Sequence, residues 1–191
     1  SPEHIIPVGI DTALFGTATA DRDIDIAGAG NLIALKQYDV FLEVVRSLKE
    51  FYPDIKTVIC GDGPEMRRLR LMISETGLEN NVTLKGRMTH AEVLLLMQRS
   101  KIFLHPSAYE GFGAVCLEAL YAGAQVVSFV KPMETAISNW HIAANKTDAV
   151  LLLKKILQGS ATEYRSVLPY PIKDNARKML EIFGQSDPAI P

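Results

Sequence analysis

The sequence predicts an α/β fold: a three-layer α/β/α domain whose parallel sheet is covered by helices on both faces. Three observations carry the prediction. Short β-branched or apolar runs alternate about five times with longer stretches of helical period. The connections between them are short. Glycines cluster where strands hand over to helices, the carboxyl edge at which open parallel sheets bind ligands. A chain of 191 residues suffices for one such domain, or one and a fraction.

Each element has its own signal. Ile24-Asp25-Ile26-Ala27-Gly28 is a compact strand, and Val40 to Phe51 repeats apolar residues at Val40, Phe41, Val44, Val45 and Leu48, one helix face. The strand Thr57 to Cys60 runs into the turn Gly61-Asp62-Gly63-Pro64, whose proline suits the first turn of the helix carrying Leu69, Met72 and Ile73. Val82-Thr83-Leu84 with Gly86 forms a third strand. Thr89 starts a helix through Val93, Leu94 and Met97, and Ile102-Phe103-Leu104 is a fourth strand. After a loop at Pro106 to Gly111, a helix from about Phe112 ends at Gly123, and Gln125 to Phe129 is the fifth strand. Pro132 to Asn145 reads as irregular, Thr147 to Leu157 as an amphipathic helix, Gly159 to Pro171 as broken, and Lys173 to Phe183 as a final helix. Residues 1–20, with Pro2, Pro7, Gly9 and Gly16, look like an extended linker, leaving 21–191 as the domain. The opening Ser1-Pro2-Glu3 has neither an initiator Met nor a signal peptide, which points to a piece of a longer protein.

Composition narrows the function. With 48% hydrophobic and 22% charged residues the chain has too much apolar material to stay disordered. Twenty Lys and Arg against 22 Asp and Glu give a net charge of −2, without the basic surface of a nucleic-acid binder. No stretch approaches the roughly 20 consecutive apolar residues of a membrane-spanning helix, so a soluble protein is expected. Cys60 and Cys116 lack metal-ligand spacing and read as small buried hydrophobes in a reduced, cytoplasmic setting.

The stretch SAYEGFGAVCLEALYAGAQVV, residues 107–127, is the most informative. Glu110 precedes the glycines Gly111 and Gly113, and Glu118 follows on the helix. With a helix start near Phe112, Glu118 lies two turns inside, roughly 12 Å from Glu110 at about 1.5 Å per residue. That spacing suits one elongated ligand. The free amides of Phe112, Gly113 and Ala114, at the positive end of the helix dipole, can accept an anion. A sugar at Glu110, a diphosphate over the helix start and a ribose at Glu118 would use all three features, since a carboxylate accepts paired hydroxyls well. The plainer reading makes Glu110 a cap that complements the helix dipole and Glu118 a solvated or salt-bridged helix residue. Against it, Glu118 is flanked by Val115, Leu117, Ala119 and Leu120, where a bare carboxylate is costly.

This segment resembles the hallmark of the GT-B-fold retaining glycosyltransferases of family 4 (glycosyl transferases group 1), in which a Pro-Ser, a Glu-Gly-Phe-Gly and a second Glu bind the nucleotide sugar. Other landmarks follow in family order. Pro7-Val8-Gly9-Ile10-Asp11 with Phe15 resembles the interdomain linker motif, and Gly61-Asp62-Gly63-Pro64, Val82-Thr83-Leu84-Lys85-Gly86, His105-Pro106-Ser107 and Ala122-Gly123 also match. The resemblance implies a Rossmann-like domain, the C-terminal half of a GT-B enzyme, that binds a nucleoside-diphosphate sugar and needs no metal or other cofactor. It implies transfer with retention to an acceptor held by an N-terminal domain absent from the chain. That domain would carry any peripheral membrane contact, and family habit points to cell-envelope polysaccharides.

Residue by residue, the resemblance gives Glu118 the ribose hydroxyls. It gives the donor sugar to Glu110, the expected catalytic residue, with the amides of Phe112 and Gly113. Gly86-Arg87-Met88 would contact the base, and Gly61 belongs to the same edge. Lys36 fits the family's diphosphate-binding lysine, but Asn31 stands where an arginine is expected and Gln37 where a glycine usually follows. An amide donates a hydrogen bond without the charge or the bidentate fork of a guanidinium. Two alternatives stay open: a nucleotide-sugar epimerase of the same fold, and a non-catalytic nucleotide-binding or interaction domain marked by Asn31. His90, His105 and His141 are given capping, strand-end and packing roles, the Arg67, Arg68 and Arg70 cluster a solvated one, and Asp21-Arg22-Asp23 is read as linker.

Overall fold

A computed structural model describes residues 7–16, 21–131, 136–159 and 162–184. Its strands are β1 (Ile24–Ala29), β2 (Thr57–Cys60), β3 (Val82–Gly86), β4 (Ser100–His105), β5 (Gln125–Ser128) and β6 (Trp140–Ile142). They are interleaved with α1 (Tyr38–Lys49), α2 (Met66–Glu75), α3 (His90–Gln98), α4 (Ala114–Tyr121), α5 (Lys146–Gln158) and α6 (Ile172–Ile182). The strands form one parallel sheet in the order β3-β2-β1-β4-β5-β6. The expected Rossmann-like α/β/α architecture is therefore present. Strand order reverses between β1 and β4, and loops leaving the carboxyl ends of these two neighbours diverge and open a crevice.

Alternation along the buried strands feeds two cores. Ile26 of β1 and Val127 of β5 join Phe41, Leu42, Val45 and Leu48 of α1 and Leu153 of α5 on one face, all fully buried. Ala27 and Ala29 of β1 with Val126 of β5 face Leu94 and Met97 of α3 and Leu117 and Leu120 of α4 on the other. Truncating any of the buried leucines to alanine is worth about 2–5 kcal/mol, so both faces are needed to hold the sheet edge in place.

Three sequence expectations change. The segment Pro132 to Asn145 contains a sixth strand, β6, paired with β5 through Val126–Trp140, Val127–His141 and Ser128–Ile142. Three half-exposed residues give too short a run for alternation to reveal. The helix expected from Phe112 begins at Ala114, because Gly113 takes a left-handed conformation (φ 63°) and turns the chain. Asp21-Arg22-Asp23 is more than linker. Arg22 donates to the carbonyls of Ser100 and Ala122, the latter at 2.7 Å, and its guanidinium lies 5.2 Å from the Tyr164 ring centre. It ties the chain entering β1 to the start of β4 and the end of α4. Within the expected linker, Ile10 is buried and bridges Pro171, and the Asn175 side chain donates to the Pro7 carbonyl at 2.6 Å. Residues 1–6 and 17–20 of that linker lie outside the described residues.

Candidate functional site

The loops after β1, β2, β3 and β4 surround a cleft of about 490 Å³ at the carboxyl edge of the sheet. Backbone bonds zip these loops together. The Gly30 amide donates to the Cys60 carbonyl (3.1 Å), Leu32 to Asp62 (2.9 Å), and Gly61 to Gly86 (2.8 Å). Gly61 is required by proximity, since a Cβ there would collide with the Gly30 carbonyl oxygen. After Leu32, a single 3₁₀ turn, Ala34–Lys36, projects Lys36 into the cleft. The Ala108 amide donates to the Leu35 carbonyl (3.0 Å), which brings the loop after β4 against this turn.

Gln37 follows Lys36 with φ 49° and ψ 45°, the left-handed region, and its carbonyl accepts the first bond of α1 from Phe41. This is a conformation that glycine adopts freely and that costs glutamine strain.

At the cleft wall Lys36 forms an ion pair with Glu110 Oε1, and His105 Nε2 lies 2.7 Å from the same oxygen. The His105 side chain is 3% exposed and lies nearly parallel to the Phe103 ring. Burial pushes its pKa down, an effect only partly offset by Glu110, so the imidazole is neutral at pH 7. For Glu110, burial pushes the carboxyl up, but the hydrogen bonds from Lys36 and His105 outweigh it and the net shift is downward. An ionised carboxylate only accepts, so the His105 proton resides on Nε2. Both donors converge on Oε1, leaving Oε2 without a partner among the described residues.

The rest of the expected site divides. Asn31, Lys36, Gly61, Arg87, Met88, Glu110 and Ala114 line the cleft together. Asn31 and Arg87 are exposed, so neither is held by neighbouring side chains. Phe112, Gly113, Gly86 and Glu118 are not in its wall. Phe112 sets its ring edge-on to Tyr170, and Gly113 packs under Trp140 of β6. Gly113 caps α4 without a side-chain acceptor, and the amides of Phe112, Gly113 and Ala114 have no acceptor among the described residues. The shorter helix puts Glu118 one turn inside α4, not two, so the straight reckoning of roughly 12 Å from Glu110 does not hold across the Gly113 turn. Glu118 Oε1 is 2.8 Å from His90 Nε2.

His90 and His105 therefore do more than follow a cap and end a strand. Each is bonded to one of the two glutamates, although the Thr89 capping box is also present. The available signal for His105 was its position, five residues before Glu110 at the end of the strand beside the switch point. His141 keeps its packing role, 2.8 Å from Gln125 Oε1, and Arg68 pairs with Glu65 and Asp39 on the surface. Cys60 and Cys116 are buried, and burial pushes the Cys60 thiol up to about 11, which leaves it unreactive.

An open parallel sheet with a glycine-lined crevice at its switch point, a lysine in it and an uncapped helix start beside it has the layout at which α/β domains of the doubly wound class bind ligands. The particular family follows from comparison: residues 10–161 match the family model "Glycosyl transferases group 1", and the chain belongs to that family. Among curated relatives, a phosphatidylinositol N-acetylglucosaminyltransferase subunit from Arabidopsis thaliana is 32% identical over 127 residues, 65% of this chain and 28% of that protein. The 2-deoxystreptamine N-acetyl-D-glucosaminyltransferase of Niallia circulans is 29% identical over 99 residues, 52% of this chain and 25% of that protein. The chain thus spans about a quarter of these relatives' length. The fold is shared with the pneumococcal O-GlcNAc transferase GtfA in complex with UDP and GlcNAc, with TM-score 0.75, 19% identity, and coverage of 92% of this chain and 38% of that one. It is shared too with Anabaena Alr3699/HepE in complex with UDP and glucose, with TM-score 0.77, 18% identity, and coverage of 93% and 55%. No described helix is long and apolar enough to cross a membrane.

Proposed function

We propose that this chain is the donor-binding half of a retaining GT-B glycosyltransferase, and that its donor is a uridine-diphosphate sugar, with UDP-N-acetylglucosamine the first to test. The observation that carries the reading is the convergence of Lys36, His105 and Glu110 on one wall of the switch-point cleft. Family membership and the UDP and sugar bound in the GtfA and HepE complexes support it.

In this reading the diphosphate lies over the start of α4, where the amides of Phe112, Gly113 and Ala114 and the helix dipole favour an anion. Lys36 leaves Glu110 and pairs with the diphosphate. Glu110 accepts from the sugar hydroxyls, Glu118 accepts from the ribose after His90 swings outward, and Gly86-Arg87-Met88 flank the base. During transfer the bond between the anomeric carbon and the β-phosphate oxygen breaks, and that oxygen keeps the electron pair. The acceptor hydroxyl oxygen bonds to the same carbon, on the same face, as its proton passes to the departing β-phosphate oxygen. Lys36 and the helix start stabilise the charge growing on the leaving diphosphate without a metal.

Calorimetry of the chain with UDP, GDP and ADP tests the reading. UDP should bind weakly, and Glu118→Ala should weaken it by about tenfold, the worth of about one hydrogen bond to a charged group. The chain by itself should not turn over, since it spans only about a quarter of the length of the curated glycosyltransferases it matches. No binding of any nucleotide at millimolar concentration would favour the non-catalytic alternative.

A further inference from the structure

We propose that His105 is the positioning residue of the donor-sugar site: its Nε2–H holds Glu110 by Oε1 and keeps Oε2 free for the sugar hydroxyls after Lys36 has turned to the diphosphate. The inference rests on the functional reading above, which places His105 in the cleft wall but gives it no task in holding the donor.

Three observations support it. Lys36 and His105 donate to the same oxygen of Glu110, so one of the two is redundant for holding the carboxylate in the ligand-free protein. They differ in what else they can do. Lys36 sits on an exposed 3₁₀ turn at the end of four rotatable bonds, and its side chain is 21% exposed. It can follow a phosphate. His105 is the last residue of β4, paired in register with Ser128 of β5, and is nearly sealed from solvent. It cannot leave, and it stays with Glu110 when Lys36 goes. Its neutrality matters as well, because an imidazolium would form a second ion pair with Glu110 and weaken the carboxylate as an acceptor for hydroxyls.

The test uses the 191-residue chain in two measurements. Nitrogen-15 spectra of the ligand-free chain should show His105 as the neutral Nε2–H tautomer, with a resonance that moves in Glu110→Gln. An Nδ1–H tautomer, or a resonance indifferent to Glu110→Gln, overturns the proposal. Calorimetry then compares UDP with UDP-N-acetylglucosamine. His105→Leu should leave UDP affinity within about twofold and lower the ratio of sugar-nucleotide to UDP affinity by about tenfold, the cost of misplacing a charge-assisted acceptor. His105→Gln, whose amide can still donate to Oε1, should recover most of that ratio. In a Glu110→Gln background His105→Leu should change the ratio no further. Equal loss of both affinities, or an undiminished effect in the Glu110→Gln background, marks a merely structural histidine and overturns the proposal. If His105→Leu does not fold, the Nε2 signature and His105→Gln decide. Failure of the wild-type chain to bind UDP at all would overturn the functional reading, while the ligand-free Nε2 signature still judges the hold on Glu110.

Discussion

Replacing Lys36 by methionine keeps the side chain's length and removes its charge. In the ligand-free protein that charge rests on Glu110, with the two side chains only 21% and 16% exposed. Binding a diphosphate therefore exchanges one anionic partner for another, and only the difference counts. Two unit charges about 4 Å apart attract by about 4 kcal/mol at an effective dielectric of about 20. A diphosphate brings roughly one more negative charge than the carboxylate, so the gross preference is of that size, and salt and side-chain ordering remove about half. The expected loss for Lys36→Met is about 2 kcal/mol, or about thirtyfold in Kd for UDP. Calorimetry at low and high salt measures it. Wild-type affinity should fall with salt more steeply than that of the variant, which has lost the charge being screened. A Kd within about twofold of wild type at low salt would refute the exchange and remove Lys36 from the diphosphate site.

Other outcomes follow from single features of the fold. Gln37→Gly should stabilise the chain by about 0.5–1 kcal/mol in urea unfolding, because the left-handed strain outweighs glycine's added freedom in the unfolded state; unchanged stability would mean the turn relaxes. Arg22→Ala should cost about 2–3 kcal/mol by the same measurement, since it frees the carbonyls of Ser100 and Ala122 and uncouples the chain entering β1 from β4 and α4. Thermal stability should fall as pH drops from 7. Burial lowers the His105 and His141 pKa values from 6.5, so below that pH the unfolded chain takes up protons that the folded one refuses. A second loss follows below 4.5, where the unfolded Glu110 carboxyl protonates before the folded one, which Lys36 and His105 hold low. His105→Gln should flatten the upper part of this profile, and a wild-type midpoint independent of pH between 7 and 4 would contradict both shifts.

The centre of the sheet was legible because strands such as β2 and β4 are buried on both faces and read as continuous apolar runs, as Thr57–Cys60 and Ile102-Phe103-Leu104 do. The site was legible in part, through glycines whose backbone roles need no partner: Gly61 can be recognised from its turn alone. Partners that meet only in three dimensions were not. Lys36 and Glu110 are 74 residues apart, and nothing local marks them as a pair. His90 and Glu118 meet across 28 residues for the same reason. Arg22 reads as a polar residue in a linker because its acceptors are backbone carbonyls, which leave no trace in the side-chain pattern. The early helix start was misplaced by Gly113, whose left-handed turn uses residues that otherwise suit a helix N-terminus.

The net charge of −2 and the geometry together restrict how an anion can be held. With Asn31 an uncharged amide in the cleft wall, Lys36 is the cation committed to that wall, and it is already neutralised by Glu110. Arg87 lines the cleft from an exposed loop, and an exposed side chain must lose conformational freedom before it contributes. A diphosphate therefore meets a site whose main charge must be released before it can act. The release is tolerable because Glu110 keeps a second donor, His105, at the same oxygen. A site without an arginine that held Glu110 by Lys36 alone would, once the donor sugar displaced water from the cleft, leave a half-buried carboxylate unpaired, a cost of about 1–3 kcal/mol or more. UDP alone, which leaves water at Glu110, does not incur it. The buried histidine is what makes a single exchangeable lysine sufficient.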